Sequence, residues 1–201
     1  MDFIHDALVK DGGGGTSKSF IVDVFNTYIK DKDVATIVEI GVYNGCFLLP
    51  ITHLNGNKKT YGIDPYVAFL QKDITNPVIK KTADGISTNQ SFLDAVYARL
   101  MSNIQKFGLN IEIVKDLAEN VHGKFADNSI DVLRIDGNHD TAYVFKDLNL
   151  YINKVKTNGI VLMDDTDWSS VNTAMTMFLK EHPSVHLEHT GAGFCVLRKK
   201  S

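Results

Sequence analysis

The chain is poor in the residue types that mark secreted and membrane proteins. It has only two cysteines, Cys46 and Cys195, four prolines and one tryptophan among 201 residues. Two cysteines in apolar segments do not make a disulfide framework, so we expect buried, reduced thiols and a cytoplasmic protein. No apolar run is long enough to span a bilayer, and the start from Met1 to Lys10 lacks the pattern of a secretory signal.

An excess of charge of one sign is also missing. The formal net charge is -3 and 44% of the residues are hydrophobic, which suits one soluble domain with a sizeable core. A broad basic field is absent, so we expect neither a nucleic acid nor a membrane as partner. We predict a single domain over residues 1–201, with a helical cap and a glycine-rich loop in 1–35 and an α/β core in 36–201.

What is present is a regular alternation of apolar runs with amphipathic segments. The spacing of apolar residues predicts helices over 19–30, 46–53, 87–106 and 141–155, and a last helix that Ser169 and Ser170 cap and Pro183 ends. Seven strands are predicted, at 36–40, 61–64, 111–114, 130–135, 160–163, 185–189 and 193–197. This order predicts an α/β fold, Rossmann-like and doubly wound, with a mostly parallel seven-stranded sheet, an antiparallel terminal strand and helices on both faces.

Two acidic motifs follow buried strands. Asp136 stands in the segment Ile-Asp-Gly-Asn-His that ends with His139, and Asp164 and Asp165 follow the next strand. Ligands of open α/β sheets bind at the carboxyl ends of the strands, so these side chains should meet there. Clustered carboxylates repel one another unless a cation neutralises them, and oxygen ligands suit Mg²⁺ or another divalent cation. We therefore predict a metal site formed by Asp136, Asp164 and Asp165.

A glycine turn follows the first strand. Gly41 and Gly45 allow the backbone to approach a ligand closely, and the next helix begins directly after them. Asp64 ends the second strand a little over twenty residues later, where a carboxylate can bind a ribose.

These motifs resemble those of the class I S-adenosylmethionine-dependent methyltransferases, whose first motif is similar to Val38–Gly45. The resemblance implies that Glu39 and the glycine turn hold the methionine end of S-adenosylmethionine, that Asp64 binds the ribose, and that the segment after the third strand lies near the adenine. The cofactor-binding residues implied in this way are Glu39, Gly41, Tyr43, Gly45, Asp64, Asp116, Leu117 and Asp136.

The two acidic motifs are similar to those of the metal-dependent small-molecule O-methyltransferases that act on sugars of antibiotics. The resemblance covers roughly residues 37–168 and implies methyl transfer to a hydroxyl of a small molecule, a sugar or polyol. Coordination to a cation lowers the pKa of a hydroxyl, so that a base can take its proton. His139 is the candidate base and Asp136 its catalytic partner, with Asp140 as the alternative base, while Trp168 and Tyr43 are candidates for the acceptor pocket.

Other functions stay open at this point. An accessory protein of the same fold would bind the cofactor without turnover and without a metal. A nicotinamide-dependent oxidoreductase is disfavoured, because the turn is not Gly-x-Gly-x-x-Gly. This fold often pairs through helices or terminal strands, so we expect a homodimer, which neither composition nor periodicity decides.

Overall fold

A computed structural model describes residues 2–10, 16–68 and 89–200. Within them a seven-stranded sheet has the order β3-β2-β1-β4-β5-β7-β6. The strands are β1 (Ile37–Ile40), β2 (Thr60–Ile63), β3 (Ile111–Val114), β4 (Ile130–Ile135), β5 (Val155–Asp164), β6 (Val185–Thr190) and β7 (Phe194–Lys199). Strands β1 to β5 are parallel, and β7 runs antiparallel to both β5 and β6. The predicted fold class is confirmed.

The helices cover both faces of this sheet. They are α1 (Asp2–Lys10), α2 (Lys18–Val24), α3 (Leu48–Leu54), α4 (Gln90–Lys106), α5 (Ala118–Val121), α6 (Thr141–Tyr151) and α7 (Ser169–Glu181). A π-helix, Phe25–Ile29, continues α2, and a 3-10 helix, His122–Lys124, continues α5. Every residue of β1 is buried, as expected for a parallel strand covered on both sides.

Strand register brings the predicted site residues into one row. Ile40 of β1 pairs with Ile63 of β2 and with Ile135 of β4, and Ile135 pairs in turn with Met163 of β5. The residues that follow these four apolar residues are Gly41, Asp64, Asp136 and Asp164. The carboxyl edge of the sheet therefore presents the glycine turn and three carboxylates side by side.

Three local predictions about segment ends are wrong. The helix predicted over 141–155 ends at Tyr151, because Val155 is buried in β5 and pairs with Ile130. The strand predicted at 160–163 begins earlier, at Val155, and includes Asn158, which takes a φ of 64° where the pairing with β4 is irregular. The last helix has Trp168 at its N-cap, with no capping side chain, since Ser169 is already helical.

Two further local features follow from the residue types. Ser17 caps α2 by accepting a hydrogen bond from the backbone N–H of Phe20 at 3.2 Å. Both cysteines are buried free thiols. The glycines at 12–15 and residues 69–88 of the segment after Asp64 lie outside the described residues. Among the helices that are described, none is long and apolar enough to cross a bilayer.

Candidate active site

Asp64 braces the glycine turn through backbone hydrogen bonds. Its Oδ2 accepts from the N–H groups of Val42 at 3.0 Å and Tyr43 at 2.9 Å, and its Oδ1 accepts from the N–H of Tyr66 at 2.9 Å. Burial raises the pKa of Asp64, while these three bonds oppose the rise. Asp64, which is predicted to bind the ribose of the cofactor, therefore fixes the shape of the turn that is predicted to hold its methionine end.

The glycine turn has a glycine where one is required and a tyrosine, Tyr43, at its central position. Gly41 has a φ of 84°, and a Cβ there would lie 2.0 Å from the carbonyl oxygen of Asp136, so only glycine fits. Tyr43, at the central position, itself takes a left-handed φ of 48°. The buried Tyr66 stabilises it by donating its hydroxyl to the carbonyl of Tyr43 at 2.8 Å.

The predicted adenine side follows β3. Asp116 accepts hydrogen bonds from the backbone N–H of Leu117 at 2.7 Å and from the Asn120 amide at 2.8 Å. Leu117 is 41% exposed at the start of α5. An exposed apolar side chain at this edge can cover a flat ring, but the assignment of Asp116 and Leu117 to the adenine stays a prediction.

The central feature of the edge is Arg134, which sequence reasoning missed. Its side chain is 3% exposed and its guanidinium contacts carboxylates from three strands or strand ends: Glu39, Asp164, and Asp136 at 2.8 Å. A partial signal was present in the sequence, because Glu39 and Arg134 each interrupt an apolar run, and the structure pairs their Cα atoms in register. Opposite charges on neighbouring buried strands indicate an ion pair.

Glu39, predicted to hold the methionine end, is turned toward this arginine. Its side chain is 1% exposed, and Oε1 accepts from Arg134 while Oε2 has no hydrogen-bond partner among the described residues. Burial raises the pKa of Glu39 to about 8, against the opposing charge of Arg134. Glu39 therefore braces β1 against β4, and direct contact with a cofactor stays a prediction.

His139 lies between two of the predicted acids. Its Nε2 is 2.7 Å from Oδ2 of Asp165 and 3.7 Å from Oδ1 of Asp136, but this buried atom is not aligned for a hydrogen bond to any described residue. Its ring packs against Trp168 with centroids 4.8 Å apart. Burial lowers the pKa of His139, but its contacts with the two carboxylates outweigh burial and raise it to about 9.

The donor set fits a divalent cation. One ligand atom each from Asp136, His139 and Asp165 lie within 4.8 Å of one another, and carboxylate oxygens with an imidazole nitrogen are donors that such a cation accepts. Asp164, the third predicted ligand, bonds Arg134 with Oδ2 and accepts the N–H of Asp165 with Oδ1 at 3.1 Å. The structure thus brings all three acids together, and their role as ligands stays a prediction.

A cavity of roughly 760 Å³ opens beside these acids. Its walls come from α2, the π-helix and β7, including Phe20, Tyr28 and Phe194, while Asp136, Asp164 and Asp165 line it where it meets the sheet. Phe20 and Phe194 pack edge to face with centroids 4.6 Å apart. Neither Tyr43 nor Trp168, the predicted pocket residues, belongs to this lining.

The family is identified by comparison with known proteins. Residues 38–166 match a family model described as a methyltransferase domain. This match covers more than half of the chain, so the protein belongs to this methyltransferase family, as the sequence motifs predicted. The motifs that carried the prediction, from Glu39 to Asp165, all lie within the matched range.

Individual relatives are similar at lower identity. An uncharacterized protein, R132 of Acanthamoeba polyphaga mimivirus, is 27% identical over 141 residues, which is 70% of this chain and 54% of that protein. The chain thus spans about half the length of that relative.

Two solved structures share the fold. An O-methyltransferase from Bacillus cereus in complex with SAH has a TM-score of 0.68 at 13% identity, covering 100% of this chain and 92% of its own. The O-methyltransferase NovP has a TM-score of 0.65 at 13% identity, covering 90% of this chain and 76% of its own. The protein thus belongs to a methyltransferase family and has the fold of these O-methyltransferases.

Proposed function

We propose that this methyltransferase moves a methyl group from S-adenosylmethionine to a hydroxyl of a small molecule, a sugar or polyol, with a divalent cation and His139 as base. The observation that carries the proposal is that Asp136, Asp164 and Asp165 line the cavity, next to the glycine turn that Asp64 stabilises. A cofactor at Gly41–Gly45 and an acceptor in the cavity would approach each other across Asp136.

The two ligands contribute distinct chemistry. S-adenosylmethionine supplies a methyl group on a positively charged sulfur, and a divalent cation makes a bound hydroxyl more acidic. The Gly41 turn and Asp64 would bind and orient the cofactor. Phe20 and Phe194 would exclude water from the acceptor and limit its orientations, so that most of the rate gain comes from position.

His139 would take the proton of the acceptor hydroxyl, and Trp168 holds its ring in place. With a pKa near 9 the imidazole carries a proton at neutral pH when only Asp136 and Asp165 face it. The proposal that His139 is the base therefore requires a cation that offsets the charge of those two carboxylates.

The test begins with calorimetric titrations of S-adenosylmethionine and of NADH, each with and without Mg²⁺. Saturable binding of S-adenosylmethionine and none of NADH is expected. Methyl transfer is then measured on a panel of sugars and polyols with wild type, with Asp136→Asn and with Asp167→Asn, an exposed acid outside the cluster, as matched control. We expect Asp136→Asn to lower turnover at least about 100-fold and the control to keep wild-type turnover. Tighter binding of NADH than of S-adenosylmethionine would contradict the proposal.

A further inference from the structure

Arg134 is held at one place by groups around its guanidinium. Nη1 contacts Glu39 and Asp136, and Nη2 contacts Asp164 and the hydroxyl of Thr16 at 3.2 Å. The guanidinium carbon also lies 4.7 Å from the ring centre of Phe47. A planar cation with partners of this kind is far more constrained than a lysine would be.

Both oxygens of Asp164 are engaged in this arrangement. Oδ2 accepts from Arg134, and Oδ1 accepts the backbone N–H of Asp165. A cation at Asp164 would compete with a buried guanidinium, and separating a buried ion pair leaves one charge without compensation. Asp164 is therefore better suited to hold Arg134 than to bind a metal.

The other two acids keep an oxygen directed away from the arginine. Asp136 gives Oδ2 to Arg134, while its Oδ1 faces His139. Asp165 contacts His139 through Oδ2, and its backbone takes a left-handed φ of 52° that turns it out of line with Asp164. Two carboxylate oxygens, completed by water or an acceptor hydroxyl, form the kind of site that Mg²⁺ uses.

The charges support the same division. Glu39, Asp136, Asp164 and Asp165 are four acidic side chains, and Arg134 contacts the first three of them. Asp165 contacts His139 instead, and Asp136 lies between Arg134 and His139. We propose that Arg134 divides the acidic cluster: Asp164 is a positioning residue that holds the arginine, and of the three acids at this edge only Asp136 and Asp165 bind the cation. This inference rests on the proposed metal-assisted function.

The test is a titration with Mn²⁺ as probe, followed by the electron paramagnetic resonance signal of the free ion, on the full chain after chelator treatment. Three variants are compared with wild type: Asp164→Asn, Asp165→Asn and the control Asp167→Asn. We expect Asp165→Asn to weaken Mn²⁺ binding at least tenfold. Asp164→Asn, whose amide oxygen can still accept from Arg134, should stay within threefold of wild type, as should the control.

The outcomes are decisive in either direction. The division is overturned if Asp164→Asn weakens Mn²⁺ binding as much as Asp165→Asn does, or if the wild type binds no Mn²⁺ at millimolar concentration. Should Asp164→Asn fail to fold, Asp136→Asn gives a second test, because wild-type Mn²⁺ affinity in that variant also overturns the proposal. Binding of S-adenosylmethionine without any cation is measured in parallel, so that failure of the methyltransferase proposal is seen separately.

Discussion

The two halves of the carboxyl edge are built by different physical means. On the side of β1 and β2, one carboxylate, Asp64, accepts three backbone N–H groups, so the glycine turn is shaped by main-chain hydrogen bonds. On the side of β4 and β5, the side chains around Arg134 and His139 are positioned by charge. The first half should therefore keep its shape across pH, whereas the second should respond to pH, to charge substitutions and to cations.

The largest expected effect comes from removing the cation at the centre of the second half. Arg134→Met leaves Glu39, Asp136 and Asp164 without their shared partner. Removal of one member of a buried ion pair costs about 3–5 kcal/mol, so the free energy of unfolding should fall by that amount in denaturant titrations. Adding Glu39→Gln and Asp164→Asn to this variant should recover most of the loss. A single variant as stable as wild type would show that the network contributes little.

The next effect separates the halves by pH. In the presence of chelator, the pKa of His139 is about 9 in the folded chain, above the ordinary 6.5. Its contribution to stability is therefore complete below pH 6.5 and is lost as the pH rises to 9, an upper limit of about 3 kcal/mol. Denaturant titrations from pH 6 to 9.5 should show that the difference in stability between wild type and His139→Gln shrinks over this range. Parallel curves for the two proteins would contradict the assignment.

Asp64 probes the other half. Asp64→Ala leaves the N–H groups of Val42, Tyr43 and Tyr66 without their acceptor, which should cost about 2 kcal/mol of stability. S-adenosylmethionine should bind at least tenfold more weakly, while Mn²⁺ binding stays unchanged. Asp165→Asn should give the reverse pattern in the same two titrations. If both variants weakened the binding of S-adenosylmethionine and of Mn²⁺ equally, the two halves would not be functionally separable.

The same contrast explains what could be predicted from the sequence. Apolar β-branched runs and the residues directly after them follow local rules, so the strands, the glycine turn and the positions of Asp64, Asp136 and Asp164 were predictable. Arg134 was missed because its partners Glu39 and Asp164 lie 95 and 30 residues away along the chain. Local patterns predict the strand end at which a side chain lies, but they do not predict which distant residue it contacts there.

The cavity was beyond prediction for a related reason. Its aromatic wall joins Phe20 and Tyr28, near the start of the chain, to Phe194, near its end. Tyr28 also sits in a π-helix, a local change of helical period that the spacing of apolar residues did not reveal. Pocket residues of this fold come from covering segments, and their choice depends on packing between segments far apart in sequence.

The smallest effect sharpens the comparison within the first half. Tyr66→Phe removes the hydroxyl that donates to the carbonyl of Tyr43 at 2.8 Å and leaves that carbonyl with one partner fewer. Loss of one buried hydrogen bond costs about 1 kcal/mol, and here it also frees Tyr43 from a left-handed conformation that glycine adopts more readily. We therefore expect S-adenosylmethionine to bind a few-fold more weakly to Tyr66→Phe, measured by calorimetry. In the double variant Tyr66→Phe with Tyr43→Gly, we expect S-adenosylmethionine binding to be weakened by less than the product of the two single effects, because both changes act on one backbone conformation. Independent, multiplying losses would mean that the hydroxyl acts on the cofactor by another route than the turn.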